Sequence, residues 1–321
     1  MIEPTTDIDA AARALVRGGL VVVPTETVHG LAALASHGAA VARVFEAKGR
    51  PAFNPLIAHV ADAGMAEALG VLDERARRLA RAHWPGPLTL VVPLRDDAPV
   101  HPLATAGLAT LAIRIARGPM TDLARMTGGA LVAPSANASG RVSPTATAHV
   151  MADLAPRLDA RRDVVLDGSL MPGRVGSEVG VESTIVSLVG APTLLRPGGT
   201  PRAAIEAVLG ERLNDHDGAI AAPGMLASHY APRGTVRLDA TDAAPDEFVI
   251  GFGPARLAGE GAGRFDLSPA GDLAEAARNL FAALHAANAA GAERIAVEPV
   301  PGEGLGEAIN DRLARAAAKR D

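Results

Sequence analysis

Residues 130–145, ALVAPSANASGRVSPT, decide the class of the fold. Ala130 to Pro134 is a short apolar run of strand type that opens into a loop rich in Ser, Asn and Gly. Ser143-Pro144-Thr145 then supplies a helix start signal, so a helix is expected from Thr145 onward. Strand, loop and helix in that order make one α/β unit, and the pattern recurs outward in both directions.

Upstream, residues 7–19 read as an amphipathic helix and Leu20 to Val23 as a buried strand that feeds the loop PTETVHG. A helix over Ala39 to Ala47 leads into the proline-punctuated segment KGRPAFNPL, after which Ile57 to Val60 returns to strand character. Asp73 to His83 is helical, and strands follow in WPGPLTLVVP and at Leu111 to Ile115. Downstream, Val164 to Asp167, VESTIVSLV and Thr193 to Arg196 add strands to a sizeable sheet. Asn214 to Gly234 shows little periodicity and reads as an ordered linker. A strand at Phe248 to Gly251, a helix over Asp272 to Ala290, a strand at Arg294 to Val297 and a helix over Glu307 to Lys319 form a second βαβα unit.

The chain has 321 residues, 48% hydrophobic and 21% charged, enough to bury a core in each of two domains. It has no cysteine, which excludes disulfide frameworks, thiolate metal sites and thiol nucleophiles and points to the cytoplasm. The start of the chain lacks a basic region followed by an apolar run, and no apolar stretch has membrane-spanning length, so no membrane association is expected. Net charge is −5, but it is uneven: residues 1–205 hold 20 basic and 18 acidic side chains, whereas 206–321 hold 11 and 18. An anion site therefore belongs to the first part. With one Trp, one Tyr and six Phe, the chain lacks the stacking platforms of single-strand binders, and no stable nucleic-acid complex is expected.

No phosphate loop of the G-x-x-x-x-G-K-[ST] type, no nucleophile elbow and no zinc-spaced His/Glu cluster occurs. Gly251-Phe-Gly253 lacks the third glycine of a dinucleotide fingerprint and reads as a tight turn. The segment Lys48-Gly-Arg50-Pro-Ala-Phe-Asn54-Pro55 is more informative. Only two of the 31 basic residues are lysines, Lys48 and Lys319, so a lysine inside a stiff loop beside Arg50 suits a polyphosphate rather than a solvated turn. Pro134 to Gly140 presents hydroxyls, the Asn137 amide and backbone N–H groups where α/β sheets bind ligands, although such a segment is also an ordinary capped turn. Arg114, in the apolar strand LAIRIA, must either face solvent or bind an anion.

The ordered motifs PTETVHGLAA, AKGRPAFNPLIAHV, WPGPLTLVVP, TLAIRIA, APSANASGRVSPT, GVESTIVSL and LRPGG resemble the YrdC-like threonylcarbamoyl-adenylate synthases. APGMLASHYAP and PGEGLGEAINDRLARAA further resemble the longer members that carry a Rossmann-like C-terminal domain. The resemblance implies a twisted, open mixed sheet with helices around a concave cavity over residues 1–212, a linker over 213–234 and a smaller α/β domain over 235–321. It also implies a nucleotidyltransferase that joins ATP, L-threonine and bicarbonate, with Mg2+ carried by the ATP rather than held in a protein metal site. The product would go to tRNA threonylcarbamoyl transferase proteins downstream. By the same resemblance Lys48 and Arg50 are catalytic, neutralising phosphate charge. Asn54, Thr110, Ser135, Asn137, Ser143, Arg196 and Tyr230 join them around ATP, and Thr27, His59, Arg114, Ala133 and Ser183 surround L-threonine. The family usually carries Tyr at the position of His29 and Gly at that of Ala32. Two other readings are an RNA-binding module, disfavoured by the charge, and the carbamoyl-transfer domains of hydrogenase maturation proteins, disfavoured by the missing cysteines.

Overall fold

The computed structural model describes residues 2–170, 177–216, 229–254, 257–259 and 261–319. Its first sheet is built from β1 (Pro4–Thr5), β2 (Val21–Val23), β3 (Gly30–Leu34), β4 (Ile57–His59), β5 (Leu88–Pro93), β6 (Thr110–Arg114), β7 (Leu131–Val132), β8 (Val164–Leu166), β9 (Thr184–Ser187), β10 (Thr193–Arg196) and β11 (Asn214–Asp215). The spatial order is β1-β8-β2-β3-β7-β4-β6-β5-β9-β10-β11, with parallel and antiparallel neighbours mixed. Central strands such as β2 are apolar throughout because both faces are covered.

Several helices begin where an aspartate can accept from the exposed backbone N–H groups of the first turn. Asp7, Asp62, Asp73 and Asp272 each cap a helix in this way. Helix Gly38–Lys48 ends on Gly49, whose φ of 60° lets the chain turn sharply into the KGRPAFNPL segment. The start signal at Ser143-Pro144-Thr145 is misplaced by the sequence reading. The helix spans Thr147–Asp153 and has no side-chain cap, because the Ser143 hydroxyl donates instead to Glu182 at 2.6 Å.

The second sheet is fully parallel, in the order β12 (Thr235–Arg237), β15 (Arg294–Val297), β13 (Glu247–Phe252), β14 (Gly263–Ser268). Helices Leu273–Ala289 and Leu305–Ala317 pack against it. Of the segment expected as a linker, Asn214–Asp215 pairs with β10 in the first sheet, and residues 217–228 lie outside the described residues. The two domains meet closely. Gly180 has φ of +77°, and a Cβ there would lie 2.2 Å from the Arg278 Cα, so a side chain at this position would force the domains apart. Among the described residues no helix is long and apolar enough to cross a membrane.

Candidate active site

One face of the first sheet has a floor of Ile57, Val91, Ala112, Ile185 and Leu195, which cluster together. Side chains two residues apart on a strand share a face. The same face therefore carries His59 beyond Ile57, Arg114 beyond Ala112, Thr89 before Val91 and Ser183 before Ile185. The parallel register of β4 and β6 sets His59 directly beside Arg114.

Arg114 is 4% exposed, so of the two alternatives left by the sequence it does not face solvent. Its anion within the chain is Glu26, fully buried in the PTETVHG loop, with Oε1 2.9 Å from Arg114 Nη2. Nη2 also donates to Thr27 Oγ1 at 3.0 Å, and Nε donates to the Gly86 carbonyl at 3.1 Å. Glu26 was not singled out by the sequence reading. The signal available was charge balance: a guanidinium in an apolar strand needs a carboxylate from elsewhere in the chain.

Burial pushes the His59 imidazole down to about 3, Arg114 adds to this, and a hydrogen bond to the Ala133 backbone opposes it. The ring is neutral in the folded protein and protonates in the unfolded chain below pH 6.5. Stability is therefore lost as pH falls from 6.5 towards 3, by about 1.4 kcal/mol per pH unit for this group. His59→Gln should remove that slope, which denaturant unfolding at pH 7 and pH 5 measures. Parallel losses in the two proteins would contradict the assignment.

Ser183 Oγ lies 2.7 Å from Thr89 Oγ1 and accepts from Arg196 Nη2 at 3.2 Å. Arg196 also donates to the Ser183 carbonyl, and burial holds its pKa below the usual arginine value. Arg50 donates to the Asn54 and Pro55 carbonyls at 3.1 and 2.9 Å, which curls the KGRPAFNPL segment around its guanidinium. Burial brings it down to about 10, with Arg196 contributing repulsion.

Thr27, Arg50, His59, Arg114, Ala133, Ser135, Ser183, Arg196 and Tyr230 line one cavity of about 50 Å3. Thr25, Glu182 and His229 also line it. The other candidates stand outside the lining. Lys48 is buried and donates to the Ser135 and Asn137 carbonyls at 2.6 and 2.5 Å. Burial, then the Arg50 charge, holds its pKa well below the usual lysine value. Asn54 is buried with neither amide atom hydrogen-bonded. Asn137 donates to the Ala138 and Arg141 carbonyls, while Thr110 sits at the opposite end of β6 from Arg114, paired with Pro93. His29 is in the core, and burial pushes it to about 4.

A cavity of 50 Å3 is below the roughly 300–1,000 Å3 that small-molecule sites occupy. One wall of it is formed by His229 and Tyr230. Tyr230 is 1% exposed with φ of 61°, its ring sits against Phe281, and the Ala231 N–H donates to the Gly140 carbonyl at 2.9 Å. On the far side lies an interdomain cleft of about 1600 Å3 lined by Arg141, His149, Ala231, Arg233 and His285 among others. His229 and Tyr230 line the cavity and their neighbour Ala231 lines the cleft.

Comparison with known proteins gives a consistent result. Residues 13–198 match the Sua5/YciO/YrdC family model, described as telomere recombination, and residues 200–318 match the model for the C-terminal domain of threonylcarbamoyl-AMP synthase. The chain is 39% identical to threonylcarbamoyl-AMP synthase of Bacillus subtilis, covering 97% of this chain and 93% of that protein. It is 38% identical to that of Pyrococcus abyssi, covering 98% and 94%. The crystal structure of P. abyssi Sua5 complexed with L-threonine superimposes with a TM-score of 0.85 at 36% identity, over 97% of this chain and 94% of that one. A variant of the same archaeal protein in which an adjacent His–Tyr pair is replaced by alanine gives 0.84 at 34% identity, over 99% and 96%.

Proposed function

Because the chain belongs to the two-domain threonylcarbamoyl-AMP synthase family, we propose that its cavity is where L-threonine, bicarbonate and ATP become L-threonylcarbamoyl-AMP and pyrophosphate, for the threonylcarbamoyladenosine modification of tRNA next to the anticodon. The observation that carries this reading is the meeting of three buried arginines, in two groups, in one enclosed space. Arg114, forked and fixed by Glu26, faces it beside His59 and Ser183, while Arg50 and Arg196 face it beside Ser135 and Tyr230.

In the reaction, the threonine amine adds to bicarbonate with loss of water to give the N-carboxy acid. A carbamate oxygen then attacks the α-phosphorus of ATP, and the α–β bridging bond breaks to release pyrophosphate. No protein nucleophile is required, so catalysis rests on positioning and on neutralising charge. In this reading Arg114 pairs with the threonine carboxylate, with Thr27, His59, Ser183 and the Ala133 backbone completing that side. Arg50, Arg196 and Lys48 neutralise the phosphates, and Asn54, whose buried amide has no hydrogen-bond partner among the described residues, takes a nucleotide contact. Tyr230 closes the nucleotide side and keeps water from the mixed anhydride, which hydrolyses readily. Thr110, Asn137 and Ser143 complete the ATP contacts by resemblance, although none of them lines the closed cavity.

Mg2+ travels on the triphosphate. The product passes to transferase proteins in the cytoplasm. Incubation with ATP, threonine and bicarbonate should release pyrophosphate only when all three are present. Release that continues without threonine and bicarbonate would overturn the reading.

A further inference from the structure

Arg312 is the largest fully buried side chain among the described residues, and it belongs to the C-terminal domain, on helix Leu305–Ala317. Its guanidinium leaves that domain. Nε donates to Glu182 Oε2 at 2.8 Å and Nη2 donates to the Pro197 carbonyl at 3.0 Å, both in the first domain. Nη1 bonds Asp311, and the guanidinium carbon lies 5.1 Å from the centre of the Tyr230 ring. Glu182 lines the cavity, and its other oxygen accepts from Ser143. The next turn of the same helix holds the start of the closing segment, where the His229 N–H donates to the Arg315 carbonyl at 3.3 Å.

We propose that Arg312 is a positioning residue for the nucleotide side of the site: it fixes Glu182, and through it Ser143, while its planar face holds Tyr230 in the closed position. This gives the C-terminal domain a defined task in the reaction, that of completing a pocket whose substrate contacts come from elsewhere. The proposal rests on the synthase reading. Geometry separates it from a general interface role, since the domains share another ion pair from the same helix. Arg202 reaches Glu307 at 2.7 Å and Asp215 at 2.6 Å at a half-exposed edge, with no contact to the cavity lining.

The test is steady-state pyrophosphate release by the full-length Arg312→Met, Arg312→Lys and Arg202→Gln variants, each with its melting temperature. Arg312→Met should raise the KM for ATP by about 10- to 100-fold while leaving the KM for threonine within about twofold of the parent, because the contacts of its guanidinium are with Glu182, Pro197, Asp311 and Tyr230 and none is with Thr27, His59 or Arg114. Arg312→Lys restores a charge opposite Glu182 without the fork and should fall between the two. Arg202→Gln should leave both constants unchanged. Should Arg312→Met fail to fold through the stranded Glu182 carboxylate, the lysine variant and an Arg312→Met/Glu182→Gln pair decide the matter, again by the ATP-to-threonine ratio. Folded Arg312 variants with unchanged KM for ATP, or with equal losses for both substrates, would overturn the proposal. Parent protein that releases pyrophosphate without threonine would instead overturn the synthase reading.

Discussion

Arg114→Ala is expected to raise the KM for L-threonine by about two to three orders of magnitude while the KM for ATP moves less than about threefold. A charge-assisted guanidinium–carboxylate pair in a site closed to water is among the strongest polar contacts a protein can offer. The substitution also has a structural cost. Glu26 is fully buried and, among the described residues, would be left with the Arg117 backbone N–H, 3.1 Å from Oε2, as the donor to its side chain. Stranding one member of a buried pair typically costs about 3–5 kcal/mol. The Arg114→Ala/Glu26→Gln pair should recover part of the stability but none of the threonine affinity, which separates the two roles. A variant whose ATP affinity collapsed while threonine binding held would invert the assignment of the pocket.

Lys48→Met is expected to lower kcat/KM by about two to three orders of magnitude and to lower stability at the same time. The ammonium holds the Ser135–Asn137 loop to the end of helix Gly38–Lys48 through two carbonyls. Removing it leaves both carbonyls without that partner in a buried place, at about 1–3 kcal/mol each. Activity loss follows because the same loop forms the cavity wall at Ser135 and because, on the proposed reading, the phosphates lose a cation. Lys48→Arg should not rescue, since a forked group cannot make two converging bonds from the space of a single nitrogen. Turnover near the parent value with unchanged melting would mean that the loop needs neither the charge nor the anchor.

What could be read from the sequence follows physical lines. Runs such as Leu20 to Val23, Ile57 to Val60 and Leu111 to Ile115 were legible as strands because both faces are buried and the runs are continuously apolar. β3, Gly30–Leu34, was not: GLAAL has no β-branched residue, and its conformation is set by antiparallel pairing with β2 and β7. β12 and β14 were missed for a related reason, being edge strands with exposed or half-exposed polar positions. The helix start near residue 145 was misjudged because a capping hydroxyl had a stronger claim on it from Glu182.

The site divides the same way. Arg114 and Lys48 stood out as charges that local surroundings could not explain. Their partners did not, because Glu26, Ser135 and Asn137 lie on segments brought to them only by the sheet order. Arg312 is further removed still, 130 residues from Glu182 and in another domain. It lies inside the motif PGEGLGEAINDRLARAA, but nothing local there distinguishes Arg312 from Arg315 or points to a partner in the first domain.

The most direct test of the account is a crystal structure with L-threonine and a non-hydrolysable ATP analogue bound together. The account predicts the threonine carboxylate on Arg114, the phosphates against Arg50 and Arg196, and the amine and α-phosphate close enough to be bridged by one carboxylate group. Ligands found in separate spaces, or a nucleotide lying on the C-terminal sheet instead, would contradict it.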